Sequence, residues 1–322
     1  MKWLENYPDI HNEMKNIEKR MYSSIKSRQP FVEKTISELI DAGGKRLRPL
    51  LLVLAAKNGA YEERIVVPLA AAIEIVHMAT LVHDDIIDES HLRRGVDTVQ
   101  AKWGKEVAVF TGDYLLCKAF MLMPKNYDSK KMSSFICAIK TICEGEMVQY
   151  TSRYKAASNI RRYLKRTRAK TAVLFALSGR IGAQEAGSSK KVVSAFSKFG
   201  MHMGMAFQIT DDILDFTGKT NDTGKPVARD FIQGIYTLPI VYAMQDRQYA
   251  QTLKHLMTKQ SYTEEDMRKV ADIAFESGGI AFSKQLADKY IKKAAKQLKY
   301  VSHDMSKALM RELLDILIDR KR

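Results

Sequence analysis

Between Pro124 and Pro226 the chain contains no proline, and apolar residues recur through that stretch at intervals of three and four. A proline inside a helix removes a backbone hydrogen bond and clashes with the preceding turn, so this pattern predicts long helices. Leu69, Ile73, Val76 and Thr80 keep the period ahead of Asp84, as do Val193, Phe196, Phe199, Met203 and Phe207 ahead of Asp211. Alternating β-branched segments bounded by Asn-Gly or Asp-Gly turns are missing, and the chain reads as all-α. Breaks fall at Gly43-Gly44, Asn58-Gly59, Gly95, Pro124 to Asn126, Gly187 to Ser189, Gly218 to Pro226 and Ser277 to Gly279. None is long enough for an interdomain linker, so residues 1–322 are expected to form a single domain, a bundle of long helices.

Composition narrows the class of partner. With 46% hydrophobic and 28% charged residues the chain has the balance of an ordinary globular protein. No apolar run follows the basic start, and the best later stretch, Val66 to Val82, is interrupted by Glu74 and His77, so neither a leader nor a membrane span is expected and the location is read as cytoplasmic. Cys117, Cys137 and Cys143 are odd in number and form no CxxC, which excludes a disulfide framework and a cysteine-rich zinc site; they are expected in the core. A net charge of +15 calls for an anionic partner or a self-repelling surface. The densest basic block, Arg161 to Lys170, has few aromatics and no nucleic-acid motif, so all of it but Lys170 reads as a solvated helix face and nucleic acid is not expected as a partner.

Two acidic clusters carry the chemistry. The first reads HDDIIDE, with Asp84, Asp85 and Asp88, and the second TDDILDF, with Asp211, Asp212 and Asp215. Residues four apart share a helix face, so Asp84 pairs with Asp88 and Asp211 with Asp215, in each case within an apolar run near the end of a helix. Like charges so placed oppose helix formation and are costly to bury without a counter-ion. Mg²⁺ suits such a set, because it keeps waters and is shared between one or two carboxylates and substrate phosphates.

Cations accompany the clusters. Lys45 and Arg48 follow the glycine pair in GGKRLRP, and Arg93 and Arg94 follow Asp88 by five and six residues; guanidinium binds phosphate bidentately and ammonium acts as a point charge. His77 stands two helical turns before Asp84, where a satisfied core histidine and a phosphate contact are equally open, and Gln208, three residues before Asp211, is ambiguous in the same way.

In this order the segments GGKRLRP, HDDIIDESHLRRG, TGDYLL, RAKTAVL, FQITDDILDF and TGKPVARDFIQGIYTLP resemble the trans-isoprenyl diphosphate synthases over most of the chain. More narrowly, IEIVHMATLVHDDIIDE, AKWGKEVAVFTGDYLL and YLKRTRAKTA resemble the catalytic large subunit of two-component hexaprenyl or heptaprenyl diphosphate synthases. The resemblance implies an isoprenoid-synthase bundle around a central substrate cavity. It implies Mg²⁺, three ions with substrate bound, on Asp84, Asp88 and Asp211, with Asp85, Asp212 and Asp215 supporting or ligating through water. Isopentenyl diphosphate is then held by Lys45, Arg48, His77 and Arg94, and the allylic diphosphate by Arg93, Lys170, Thr171 and Gln208, with Lys225 a further contact. Thr171, Gln208 and the backbone near Lys170 offer oxygen dipoles to an allylic carbocation. Gln233-Gly234-Ile235-Tyr236 stands where short-chain relatives carry a second lysine, a form similar to longer-chain members.

Short-chain members of that family carry aromatics where this chain has the small Ala79 and Thr80, one turn before Asp84, so the resemblance implies a product beyond farnesyl, C30 or C35, for which menaquinone is the expected destination. The implied partners are a small accessory subunit, forming a heterodimer, or a second copy, with at most peripheral membrane contact as product leaves. Two other readings stay open: a terpene cyclase or diphosphate hydrolase, which lacks the pocket of GGKRLRP, His77 and Arg94, and a scaffold subunit, which lacks the aspartate clusters.

Overall fold

In the computed structural model, which describes residues 4–156, 159–217 and 228–319, the all-α expectation holds: 78% of the described residues are helical. Among the described residues the exception is a two-stranded hairpin, β1 (Leu92–Arg93) against β2 (Val96–Asp97), turning through Arg94 and Gly95, both at positive φ. Such two-residue connections match the twist of paired strands, which is why the break read at Gly95 takes this form.

The chain gathers into two compact units, Met1–Phe135 with Ser178–Ser194, and Ile136–Leu177 with Ala195–Arg322. In the first, α1 (Pro8–Ser24), α2 (Pro30–Asp41), α3 (Leu47–Ala56) and α4 (Glu63–Ile87) precede the hairpin, and α5 (Val99–Trp103) and α6 (Lys105–Met121) follow it. Pro8 and Pro30 open their helices at positions where no intrahelical N–H bond is lost. Helix α3 is buried from Pro49 to Ala56, as a helix apolar on all sides must be. Helix α4 is long and apolar enough to cross a bilayer, with a mean hydropathy of 2.1, but 72% of that window is buried in protein, marking it as a core helix. Its predicted stripe, Leu69, Ile73 and Val76, is fully buried, each side chain stabilising the fold by about 1.5–3 kcal/mol.

Helix α7 (Ser129–Ser152), α9 (Val173–Glu185) and α10 (Lys190–Thr217) contribute residues to both units. In the second unit, α8 (Ile160–Thr167) runs through a π-helical turn, Arg168–Ala172, into α9. Beyond α10 lie shorter helices, among them Leu238–Ala243, Glu264–Glu276 and Gly279–Ala295. Ile209, Ile213 and Phe216 of α10 join Tyr163, Phe231 and Leu238 in the core of this unit.

The three cysteines correct the sequence reading: all are exposed, Cys117 on α6 and Cys137 and Cys143 on α7. They lie on helices that also expose Phe110 (72%), Met121 (74%), Met147 (65%) and Tyr150 (62%), so apolar periodicity there marks outward surface as well as core. The basic block behaves as read: Arg161, Arg162, Lys165 and Arg168 are exposed, whereas Arg166 donates Nη2 to the Tyr236 carbonyl at 3.0 Å and Lys170, set apart in that reading, is partly buried.

Candidate active site

In the first unit the acidic cluster closes α4. Asp84 and Asp85 occupy its last turn and Asp88 caps it, donating its N–H to the Asp84 carbonyl at 2.8 Å. Glu89 then takes a left-handed φ of 48° and ends the helix. The last carbonyls of a helix need outside donors. Gln100 supplies them, its Nε2 reaching the carbonyl of Asp85 at 2.7 Å and that of Ser90 at 3.0 Å, from an α5 capped by the Thr98 hydroxyl. Sequence reasoning passed over Gln100; the Thr98 cap was the available signal.

Asp85 is buried, and both its oxygens accept from Arg93 Nε, at 2.8 and 3.0 Å, while Arg93 Nη2 stands 2.7 Å from Oδ1. Burial alone lowers the Arg93 pKa, yet this bond and the charges of Asp85, Asp84 and Asp88 raise it above the ordinary guanidinium value. Arg93 thus lies in the field of all three aspartates. Asp84 and Asp88 are both partly exposed.

The predicted cations gather beside this helix. The Arg94 guanidinium lies against the loop that carries Lys45: a Cβ on Gly44, whose φ is 156°, would stand 2.7 Å from Arg94 Nη1 and push it aside. His77 is pushed well below the ordinary histidine value by burial and then by Arg48, Arg94, Arg93 and Arg46, and is neutral at physiological pH. Lys45 is exposed and Arg48 half-buried. Of the chain-length pair, Ala79 is fully buried, whereas Thr80 is partly exposed and donates its hydroxyl to the His77 carbonyl at 2.8 Å.

In the second unit the other cluster closes α10, and a chain of hydrogen bonds runs from it. The Tyr163 hydroxyl donates to Asp212 Oδ2 at 2.6 Å, Gln208 Nε2 donates to Asp212 Oδ1 at 2.9 Å, and the Thr171 hydroxyl donates to Gln208 Oε1 at 2.7 Å. Asp212 thereby orients the Gln208 amide, and Gln208 orients Thr171. Lys170 donates to Glu146 Oε2 at 2.8 Å. Lys170 and Thr171 both lie on the π-helical turn, where the Val173 N–H reaches back to the Arg168 carbonyl; such widened turns recur at functional sites. Gly204 of α10 seats this turn, since a Cβ there would meet Ala172 Cα at 2.6 Å.

Asp215 accepts from the backbone N–H of Arg229 at 3.1 Å and of Asp230 at 3.3 Å, fixing the start of the helix Arg229–Ile232. Burial raises the pKa of Asp212, against the hydrogen bonds of Tyr163 and Gln208. Burial likewise raises Asp215 to about 6, against the two backbone N–H groups and with the Asp212 charge adding to the rise. Asp211 is partly exposed beside them. Lys225 lies outside the described residues.

Among the described residues no three His, Cys, Asp or Glu side chains assemble a complete metal cage. The donor set consists of hard carboxylates, some held at raised pKa, and it fits a cation that takes its remaining ligands from water and phosphate, as Mg²⁺ does.

The family described as polyprenyl synthetase matches residues 29–274. The chain is 33% identical to heptaprenyl diphosphate synthase component 2 of Bacillus subtilis, covering all of this chain and 92% of that protein. It is 35% identical to the component 2 of Geobacillus stearothermophilus, covering 97% of each. The crystal structure of heptaprenyl diphosphate synthase from Staphylococcus aureus superposes with a TM-score of 0.91 at 32% identity, over 97% of this chain and 99% of that one. The chain belongs to the polyprenyl synthetase family, and it is a prenyltransferase of the trans-polyprenyl diphosphate synthase type.

Proposed function

We propose that the chain condenses isopentenyl diphosphate with an allylic diphosphate, farnesyl diphosphate first, into an all-trans polyprenyl diphosphate of C30 or C35 that becomes the side chain of menaquinone. The observation that carries this reading is the cationic set of the first unit, where the Arg94 guanidinium lies against the Lys45 loop and arginines surround a neutral His77. A cyclase or hydrolase handles one diphosphate and has no use for a second anion pocket. Elongation needs one, because isopentenyl diphosphate keeps its diphosphate throughout.

Asp84, Asp88 and Asp211 would hold Mg²⁺, which when bound neutralises the departing diphosphate and makes ionisation of the allylic carbon feasible. The chain's own residues do the rest. Because the Thr171 hydrogen points at Gln208 Oε1, the Thr171 oxygen keeps its lone pairs for positive charge developing on carbon. Lys45, Arg48 and Arg94 anchor the diphosphate of the nucleophile, and neutral His77 adds a hydrogen bond without adding charge. Incubation with allylic diphosphate and Mg²⁺ alone tests the reading: inorganic diphosphate released at full rate favours the cyclase or hydrolase, whereas release that depends on isopentenyl diphosphate supports elongation.

The names of the two component 2 relatives support a two-component enzyme with a small accessory subunit. The exposed apolar residues of α6 and α7 favour a partner subunit covering those helices, since large apolar surface is seldom left bare. Activity of the purified chain that appears only on adding a small subunit identifies the heterodimer; full activity alone identifies a second copy as the partner.

Product length follows from the space below Asp84. Phenylalanine at the fully buried Ala79 costs about 1–3 kcal/mol of overpacking. The partly exposed Thr80 accepts it more readily. Thr80→Phe therefore shortens the product by one or more isoprene units at near-native stability, read by chromatography of the dephosphorylated products, and an unchanged length removes Thr80 from the tunnel.

A further inference from the structure

Arg46 lies inside the basic segment that carries Lys45 and Arg48, yet its side chain turns away from solvent. Only 3% exposed, it donates Nη1 to Glu74 Oε1 at 2.9 Å and Nη2 to the Ile40 carbonyl at 2.9 Å, while Nε stands 3.5 Å from Glu18 Oε1. The guanidinium thus joins α4, α2 and α1 through three separate edges. Its backbone is left-handed, with φ 44° and ψ 36°, and its carbonyl accepts the α3 bond from the Leu50 N–H at 3.1 Å. A non-glycine residue adopts that conformation only when its surroundings hold it there. Glu74 stands three residues before His77 on α4, so the two share a face.

We propose that the buried Arg46–Glu74 pair is a positioning device: it locks the left-handed turn between Gly44 and α3 so that Lys45 and Arg48 meet the diphosphate of isopentenyl diphosphate beside His77. Arg46 touches no substrate in this role. Its planar fork matters, since a lysine ammonium on a flexible stem is a point charge and does not hold the Glu74 carboxylate and the Ile40 carbonyl in one fixed plane. The inference rests on the proposed role of Lys45 and Arg48 as the isopentenyl diphosphate anchors.

The test separates positioning from stability. Replacing a buried ion pair by apolar side chains of similar volume is often neutral for stability, whereas removing one partner is not. The double variant Arg46→Met/Glu74→Met is therefore expected to melt within a few degrees of the unaltered chain. Calorimetric titration with isopentenyl diphosphate should give it a Kd raised about tenfold or more, while the Kd for farnesyl diphosphate moves less than twofold. Arg46→Lys, which keeps the charge, should weaken isopentenyl diphosphate binding in the same direction, and it decides the matter if the double variant does not fold. Binding of isopentenyl diphosphate by the variants within twofold of the unaltered chain, or equal weakening toward both substrates, overturns the inference alone. An unaltered chain that does not bind isopentenyl diphosphate overturns the proposed function and the inference with it.

Discussion

Replacing Asp84 and Asp88 together by asparagine lowers polyprenyl diphosphate formation on the order of a thousandfold while leaving the melting temperature unchanged or raised. Both residues end α4, where the helix dipole presents its negative pole and disfavours carboxylates by about 0.3–1 kcal/mol each. Their spacing of four adds a repulsion of about 0.2–0.5 kcal/mol. The field of Arg93 offsets part of that cost, so neutralising both acids changes stability little. Catalysis gives a reason for two acids here: carboxylates that fix a divalent ion against a leaving diphosphate stabilise the transition state by several kcal/mol, and about 4 kcal/mol corresponds to a thousandfold in rate. Turnover at saturating Mg²⁺, measured beside thermal melting, checks both halves. Activity retained within tenfold removes the pair from ion binding, and a fall of more than about ten degrees on the scale of a marginal domain's stability reassigns it to the scaffold.

Periodicity revealed much of this architecture because both helices that carry acids are apolar over several turns. The stripe ahead of Asp84 and the stripe ahead of Asp211 predicted α4 and α10 and the position of each cluster at its helix end. Glycine and proline punctuation located the turns at Gly43-Gly44, Asn58-Gly59, Gly95, Pro124 to Asn126, Gly187 to Ser189 and Ser277 to Gly279, while the break read at Gly218 to Pro226 lies outside the described residues. Partners distant in sequence stayed hidden. Nothing local to Asp212 points to Tyr163, 49 residues away, because helical spacing defines a face and not what packs against it. The π-helical turn is hidden for a related reason: RAKTA has ordinary helical residues, and the widening comes from tertiary packing such as the close approach at Gly204. Arg46 stands between Lys45 and Arg48 with no local mark of its burial. A signal was present on the other side, since Glu74 interrupts an apolar helix and a buried carboxylate requires a cation. The cysteines failed in the opposite sense, because an apolar stripe on α6 or α7 does not say which side of it is the core.

Unfolding by urea at two pH values should show Asp215→Asn to be less stable than the unaltered chain at pH 3 and more stable at pH 7. Burial, offset in part by the Asp230 and Arg229 N–H groups, raises the folded pKa of Asp215 from 3.8 to about 6, and Asp212 is raised in the same direction. The folded chain therefore holds these protons more tightly than the unfolded chain. The stability they contribute is fully present below the unfolded value near 3.8 and is lost as pH rises through about 6. A shift of that size corresponds to about 3 kcal/mol by pH 7. Asparagine escapes this loss, but its amide faces one of the two backbone N–H groups that the carboxylate accepted, which costs about 1 kcal/mol at any pH. The variant is thus about 1 kcal/mol worse in acid and about 2 kcal/mol better at neutrality, and a difference that stays constant with pH refutes the assignment. A chain that keeps an acid where an amide is more stable at working pH keeps it for its charge, and beside Asp211 that charge would serve the cation that the proposed function requires.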